Sequence, residues 1–374
     1  MKTILTILML CGVCCGNAQK NDVENDGLKG NVKTVKYDVY QASVTAAGVV
    51  PGEKTEDTKS HYWRSYDRNG NSLHSVYYRK DGTKYSEYIY GNGKLIRYNM
   101  YNDYEEIYEY IQYEYNSRGK PVLESTYENG DEDEFRTGFY GNKQTANTIY
   151  GHLDRTCEYT YDANDRVIKK MYKSYDYKNE LSFQSLAEYT YDSAGKMTGK
   201  YERRAFNKHS NGVEERCTYT YDAKGKLVEE IIYTRHGSNY DKPMNRKYYY
   251  DANDRLILKE QYYPPGKKSR SETYTRDSNG RTVKYEVWDS SSRLNATDIV
   301  NRDYSGTEID ECSYDDKGNI VARTLTDKNG VIQKVEITYE YDAHGNIIKN
   351  IQKYSRNNEP FKYSLICIQE IEYY

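Results

Sequence analysis

Apolar and polar residues alternate in short runs along most of the chain. From Val335 to Tyr341 the odd positions are apolar or aromatic and the even positions are polar, and Cys157–Tyr161 and Cys217–Tyr221 follow the same rule. A period of two over such a length predicts β-strands with one half-buried face. Returning segments such as Leu227–Tyr233 alternate less strictly, so we expect partial cover on both of their faces. Helical patterning is nearly absent.

Each strongly alternating run ends in one turn signal, Tyr-x-Tyr-Asp-x-x-Gly. The nine residues Tyr159–Val167 have close copies at Tyr189–Met197, Tyr219–Leu227, Tyr248–Leu256 and Tyr339–Ile347. Looser copies include Tyr113–Gly119, Tyr274–Gly280 and Cys312–Gly318. The motif residues Asp162, Asp192, Asp222, Asp251 and Asp277 are spaced by 30, 30, 29 and 26 positions. One repeat is therefore a short supersecondary unit.

The turn residues make that unit a hairpin. An Asp side chain accepts hydrogen bonds from backbone amides two residues on, and Gly supplies the positive φ that closes the turn. Asp165 and Asp254 replace the Gly in two copies, and Asp is among the few other residues that tolerate the left-handed region.

These patterns predict an all-β protein whose tandem antiparallel β-hairpin repeats form an elongated curved sheet or partial β-shell. About ten hairpins at ~4.8 Å per strand make an arc on the order of 100 Å. The predicted domains are a signal peptide over 1–18, an N-terminal strand and loop over 19–58, and the repeat array over 59–374. Within the second segment we expect one strand, Val32–Tyr40, followed by a loop to about Thr58.

The first residues predict export. Lys2 precedes the apolar run Ile4–Val13 and the small-residue site Gly16–Ala18, an arrangement typical of a secretory signal cut before Gln19. The run is too short to span a bilayer as a helix, and no later segment approaches that length. A lipid anchor on one of the cysteines in this stretch is the alternative, although Leu, Val and Cys precede them where small residues are preferred. We therefore expect a secreted protein, periplasmic or at the cell surface.

Composition narrows the partners. The chain has 46 Tyr against 5 Phe and 2 Trp, and its formal net charge is −3. A balanced charge argues weakly against nucleic acid or an anionic membrane as partner. Tyrosine suits a sheet whose surface is half wet, because the ring packs while the hydroxyl reaches water.

The repeated motif resembles that of the YD or Rhs repeat family, over most of residues 60–350 and most strongly from Tyr159 to Leu256. The resemblance implies curling β-sheet spirals, which in large members become hollow shells around a toxic C-terminal segment. This chain departs from the pattern: Lys196, Lys226, Asn319 and Asn346 stand where the family has Arg. The family's Asp-Pro-x-Gly core motif and an unrelated C-terminal domain are both lacking, so the resemblance implies the sheet and not the toxin role.

No catalytic, metal or cofactor site is predicted. The motif aspartates are explained as turn residues, and the acidic run Asp131–Glu134 lacks the ligand spacing of a calcium loop. The histidines are spread singly, with no partner at metal-ligand spacing: His61, His74, His152, His209, His236 and His344. Cys157, Cys217 and Cys312 share the tyrosine face of their strands, which favours packing over chemistry, and a Cys157–Cys217 disulfide is not expected.

The candidate binding residues are tyrosines. A third Tyr recurs 11 to 13 residues after the motif pair, and stacked hairpins predict that these rings align in a ladder: Tyr78, Tyr101, Tyr127, Tyr172, Tyr233, Tyr262 and Tyr354. Such a ladder is explained by cross-strand packing, or it is a stacking platform for sugars or another chain. Tyr172, Tyr233 and Tyr262 are the ligand-binding residues that we predict.

Three function hypotheses remain. The first is a non-catalytic binding or scaffold protein of the periplasm or cell surface, with a glycan or protein partner. The second is a shell or guide component of a delivery or toxin-type system. The third is an enzyme whose site is assembled across repeats.

Overall fold

The computed structural model describes residues 21–131, 148–176, 178–206, 212–236, 239–290, 306–327 and 330–374. The expected signal peptide, His209 and residues 132–134 of the acidic run lie outside the described residues.

About two thirds of the described chain, 68%, is β-strand, and almost none of it is helix. The helical elements in these ranges are α1 (Asp22–Asn25) and one 3-10 turn (Thr58–Ser60). The strands are β1 (Val32–Thr45), β2 (Gly48–Lys54), β3 (His61–Tyr66), β4 (Ser72–Tyr78), β5 (Lys84–Gly91), β6 (Lys94–Tyr101), β7 (Ile107–Tyr115), β8 (Pro121–Asp131), β9 (Thr148–Tyr161), β10 (Val167–Tyr175), β11 (Leu181–Tyr191), β12 (Met197–Phe206), β13 (Val213–Tyr221), β14 (Leu227–His236), β15 (Asn239–Tyr240), β16 (Met244–Tyr250), β17 (Leu256–Tyr262), β18 (Lys268–Arg276), β19 (Thr282–Asp289), β20 (Gly306–Tyr314), β21 (Ile320–Asp327), β22 (Gly330–Tyr341), β23 (Ile347–Arg356) and β24 (Lys362–Tyr373). The all-β prediction is confirmed. The strand expected near the N-terminus is β1, and the loop expected after it contains β2.

The strands form one antiparallel sheet that closes on itself. Successive strands pair from β3 to β24, with β14 paired directly to β16 and β15 lying beside β14. β1 pairs with β24 on one edge and with β3 on the other, so 22 strands make a closed barrel. The expectation of an open or partial sheet is wrong, because the N-terminal strand lies outside the motif array and joins its two edges.

The size of the ring keeps its opposite walls apart. A circular barrel of this many strands at ~4.8 Å per strand has a diameter of roughly 35–45 Å, depending on strand tilt. Side chains of opposite walls cannot meet across such a width. The wall must therefore be stabilised mainly by contacts between neighbouring strands.

The motif turns have the predicted geometry. In the first full copy the Asp162 carbonyl accepts from the Asp165 amide at 3.2 Å, and Asp162 Oδ1 accepts from the amides of Asn164 and Arg166 at 2.9 Å each. Asp165 and Asp254 adopt φ of +62°, and Gly225 has φ +85°. Strands stop at the motif Asp and resume after the fourth turn residue, as the sequence predicts.

In several copies of the motif the second tyrosine ties its hairpin to the one before it. The Tyr191 hydroxyl donates to the carbonyl of Val167, the first residue of the preceding return strand, at 2.8 Å. The same bond at 2.7–2.9 Å joins Tyr161 to Pro121, Tyr221 to Met197, Tyr250 to Leu227 and Tyr314 to Thr282. We expected the excess of Tyr over Phe to reflect hydroxyls in water. For these tyrosines the hydroxyl instead binds a backbone carbonyl, so the excess has a structural cause.

The basic residue after the motif Gly adds a second link between the same hairpins. The Arg166 guanidinium lies 4.8 Å from the Tyr191 ring centroid, and Arg281 lies at the same distance from Tyr314. Lys196 covers Tyr221 at 5.6 Å. These are cation–π contacts. A Cβ added at Gly225 would lie 2.4 Å from Lys196 Nζ, the end of a flexible side chain that can move aside, so the need for Gly here comes from its positive φ.

The pairing register gives the sheet two continuous faces. One, here the tyrosine face, carries the motif tyrosines and Cys157, Cys217 and Cys312. On β22 its residues Ile337, Tyr339 and Tyr341 are half-buried, while Glu336, Thr338 and Glu340 of the opposite face are exposed. Curvature crowds side chains on the concave side of a sheet and spreads them on the convex side. We therefore assign the tyrosine face to the barrel interior and call the other the convex face.

The N-terminal segment covers the point of closure. Val23 and Leu28 pack with Val32, Val35 and Tyr66 in a cluster whose members are at most 9% exposed. Asp22 Oδ2 accepts from the Ser72 amide at 2.7 Å, next to the first motif turn. Asn346, in the last motif turn, exchanges hydrogen bonds of 2.7 and 2.9 Å with the Lys29 backbone. The segment thus connects the first and last hairpins.

Replacing Gly225 with Val should lower the free energy of unfolding by about 1–3 kcal/mol, because a β-branched residue resists positive φ. Gly225→Asn is the matched control, since Asn tolerates this region. Denaturant titration measures both. Equal stability of the Val variant and the wild type would contradict the turn described here.

Replacing Tyr191 with Phe should cost about 0.5–1.5 kcal/mol, because the Val167 carbonyl loses its hydrogen bond. Tyr233→Phe is the control, since no hydrogen bond joins its hydroxyl to another described residue. Equilibrium unfolding compares the two variants with the wild type. Equal losses would show that the link between hairpins does not depend on the hydroxyl.

Candidate functional site

The structure separates the three tyrosines predicted to bind a ligand. Tyr172 pairs with Cys157 and lies on the tyrosine face. Tyr233 pairs with Arg216, and Tyr262 with Asn245, both on the convex face. Tyr172 follows its second motif Tyr by 11 residues, whereas the other two follow theirs by 12. A difference of one residue moves a side chain to the other face of a strand, so the single ladder expected from the sequence is wrong.

Tyr172 is a packing residue. Its ring meets Phe183 edge-on, with centroids 5.8 Å apart. Such T-shaped pairs between neighbouring strands stabilise a sheet. Within the interior wall this ring supports β10 against β11.

A continuous file of rings does occur elsewhere on the tyrosine face. Successive centroids are 5.2, 5.6, 5.7 and 4.5 Å apart along five tyrosines of β1 and β3–β6: Tyr37, Tyr62, Tyr77, Tyr88 and Tyr98. Burial raises the pKa of Tyr62 to about 12. The motif is degenerate in this region, so only the alternation within each strand could predict which face these rings occupy. Their alignment depends on register between strands.

The convex face carries a different aromatic group. Tyr233 and Tyr249 are 39% and 40% exposed. The hydroxyls of Tyr249 and Tyr262 donate to Glu260 Oε2 at 3.0 and 2.7 Å, and the hydrogen bond to Glu260 raises the pKa of Tyr262 to about 12. These rings belong to neighbouring strands, so the structure does bring Tyr233 and Tyr262 onto one surface.

Two further aromatic residues lie on this surface. Tyr201 pairs with Arg216, whose guanidinium lies 5.4 Å from the Tyr201 ring centroid. Trp288 pairs with Ser271 on the same face. The repeat pattern in the sequence singles out neither residue, because neither occupies the recurring third-tyrosine position. The period-two pattern within β12 and β19 was the only sequence signal for their face.

The interior face holds paired charges between neighbouring strands. Arg246 meets Glu230 at 3.0 Å, and Arg323 meets Asp310 at 2.7 Å. Lys200 meets Glu202 of its own strand at 2.6 Å. Each pair is held on the tyrosine face by the register, so the charges of the wall largely satisfy one another.

One interior group has more carboxylates than cations. Thr126 pairs with Arg155 and Tyr127 with Leu153, so Asp154 is the extra residue of a β-bulge. Arg155 binds Glu109 at 2.9 Å and Asp154 at 3.3 Å. Glu128 stands directly opposite Glu109. Burial, then repulsion from Asp154 and Glu109, raises the pKa of Glu128 to about 7.

The other candidate groups have structural partners. His61 is fully buried, with Nδ1 3.0 Å from Asp38 Oδ1. The hydrogen bond from the Arg166 amide lowers the pKa of Asp162, as expected of a turn residue. The four cysteines of the described chain are free thiols, and burial raises the pKa of Cys217 and Cys312 to about 11.

The described ranges lack both a metal-binding cluster and a membrane-spanning helix. They contain no group of three His, Cys, Asp or Glu side chains arranged to hold a metal ion. No helix in this part of the chain is long and apolar enough to cross a membrane.

The Glu128 group predicts a pH dependence. A carboxyl whose pKa rises from 4.5 to about 7 on folding contributes stability below pH 4.5 that is lost as pH rises through 7. Glu128→Gln should therefore have a higher melting temperature than the wild type at pH 8 and the same melting temperature at pH 4. Glu188→Gln, on the exposed face of β11, is the control. Melting curves across this pH range that show no crossover in favour of Glu128→Gln would contradict the cluster.

Comparisons with known proteins show only weak structural likeness. No protein-family model and no curated protein matches the chain. A chain of the Tc holotoxin pore of Photorhabdus luminescens overlays at a TM-score of 0.27 and 11% identity, covering 79% of this chain and 22% of that one. A porin-like protein from Bacteroides uniformis overlays at 0.29 and 11%, covering 58% of this chain and 91% of that one. Scores this low carry no argument about function, and the resemblance to YD repeats stays a prediction.

Proposed function

We propose that the chain is a non-catalytic, secreted repeat protein that binds a glycan or a protein at the periplasm or cell surface through its convex face. The observation that carries this proposal is the exposure of aromatic rings that the repeat does not need. The second motif tyrosines are used in joining hairpins, whereas Tyr233 and Tyr249 stand outside those links and are more than a third exposed. Exposed aromatic residues beside polar groups are common in recognition surfaces.

The proposal that the protein is non-catalytic is supported by the structural roles of its reactive side chains. Asp162 and its counterparts bind turn amides, and His61 is held by Asp38 and the Thr55 carbonyl at 3.0 and 3.1 Å. Three of the four described thiols are buried and Cys312 is half-buried, and burial raises the pKa of all four, which makes them poor nucleophiles. Each of these groups has a structural explanation within the barrel.

Export is proposed from the pattern of residues 1–18, and contact with water is supported by the character of the convex face. Glu336 and Glu340 of β22 point to the outside and are exposed, and Lys349 pairs with Glu340 at 2.7 Å. Charged side chains at such positions suit contact with water, since they are costly in hydrocarbon. The proposed location is therefore the aqueous phase outside the cytoplasm.

The test is a binding screen of the mature chain against cell-wall polymers and surface proteins. Tyr233→Ala combined with Tyr262→Ala should reduce binding at least about tenfold, since two stacking contacts are lost. Tyr172→Ala, on the interior face, is the matched control and should bind normally if it remains folded. Melting curves verify folding. Full binding by the double variant would contradict the proposal.

A shell or guide role is the second candidate, favoured by one observation. The sheet is closed, and a ring of this width has room for another chain inside it. In that case the partner would contact the tyrosine face. This second candidate would replace the first if Arg246→Ala, on the interior face, abolished binding of a partner. The convex double variant should in that case still bind the same partner.

A further inference from the structure

Four convex rings form an oblique line across the wall. This aromatic file consists of Tyr201 on β12, Tyr233 on β14, Tyr262 on β17 and Trp288 on β19. One strand of the ring separates each member from the next, namely β13, β16 and β18. At ~4.8 Å per strand, successive rings are roughly 10 Å apart across the sheet.

The pairing register makes the aromatic file run around the barrel. Tyr201 and Tyr233 lie in one row through Arg216. Tyr262 lies in the row of Ile231, two residues nearer the motif turns than Tyr233. Trp288 lies in the row of Glu260, a further two residues in the same direction. Because barrel strands are tilted, a path that shifts in this way runs around the wall and not along it.

Polar side chains fill the gaps between the rings. Arg216 stands between Tyr201 and Tyr233, and Asn245 lies between β14 and Tyr262. Asn245 Nδ2 donates to Glu229 at 2.8 Å, while its Oδ1 atom is shielded from solvent and accepts no hydrogen bond from any described residue. A shielded acceptor without a donor is unfavourable. The exposed Arg216 guanidinium, between the first two rings, is the group placed to donate to the hydroxyls of a ligand.

We infer that the aromatic file is a binding platform for an extended β-1,4-linked polysaccharide. This inference rests on the proposed function and names its ligand. In such a chain alternate sugars present the same C–H face to one side, so rings two strands apart meet every second sugar. The first step is close to the length of one disaccharide, and the two-residue shifts lengthen the other two steps to about 12 Å at the backbone, a difference that the long ring side chains can span. The exposed side chains between the rings meet the hydroxyl edges. Four such contacts in series give affinity through repetition.

A peptide partner fits this surface less well. Strand addition needs an unpaired sheet edge, and the closed ring leaves none along the wall where the file lies. A flat row of separated rings also lacks the pocket in which a protein anchor is usually buried.

The experiment is calorimetric titration of the mature chain with oligosaccharides of two to eight units. β-1,4-linked glucose and N-acetylglucosamine series are the probes, and the α-1,4-linked glucose series, whose chain curves, is the control. Affinity for a β-linked series should rise with each added disaccharide up to four. Tyr201→Ala should remove the last rise, and each ring lost should weaken the octasaccharide about 2- to 10-fold. Tyr363→Ala, 38% exposed on β24 and outside the file, should bind like the wild type.

The outcomes separate the inference from the proposed function. Affinity independent of length, or equal for α- and β-linked chains, would overturn the inference. If no polysaccharide binds but a surface protein binds and is lost in the Tyr233 and Tyr262 double variant, the inference fails and the proposed function stands. If the double variant alters no interaction found in the screen, both fail.

Discussion

The barrel depends on one repeated hydrogen bond, from the hydroxyl of the second motif tyrosine to the first carbonyl of the return strand in the hairpin before it. Tyr191 and Val167 show its form, at 2.8 Å. In a wall too wide for its opposite sides to touch, there is no thick apolar core to hold the sheet. Neighbouring hairpins must therefore be joined individually. The tyrosine does this with three contacts: ring packing, the hydroxyl bond, and the cation–π contact from Arg166. Phe would supply only the packing and a weaker cation–π contact.

Closure follows from the same need. An open array of hairpins would end in two unpaired strands, which are prone to pair with other chains. β1 removes both edges by pairing with β3 and β24. The buried cluster around Val32 and Val35 forms at this seam, where α1 covers the inner face. The most compact apolar packing of the described chain is thus at the joint and not within the repeats.

The two faces of the sheet differ in how their side chains are paired and exposed. The interior face combines tyrosines with paired charges such as Arg246 and Glu230, so its groups satisfy each other. The convex face leaves rings such as Tyr233 exposed beside polar side chains. Substitutions that probe the stability of the wall and substitutions that probe the proposed binding surface are therefore separable, because the residues of one strand alternate between the two faces.

The sequence by itself determined the local structure. Alternation in Val335–Tyr341 and the Asp-x-x-Gly turns were sufficient for strands and hairpins, and the left-handed Asp165 and Asp254 followed from turn chemistry, because these features depend on residues close in the chain. It placed Cys157 on the tyrosine face for the same reason.

Only the tertiary structure decided that the sheet closes into a barrel and which candidate side chains lie together. The pairing of β1 with β24 joins residues more than 300 positions apart through backbone groups, which carry no sequence signature. The hydroxyl partners of the tyrosines depend on the register between hairpins, and the grouping of Glu109, Glu128 and Asp154 depends on a bulge in β9. The line from Tyr201 to Trp288 likewise exists only once tilted strands stand side by side, because it is a property of the assembled wall and of no single repeat.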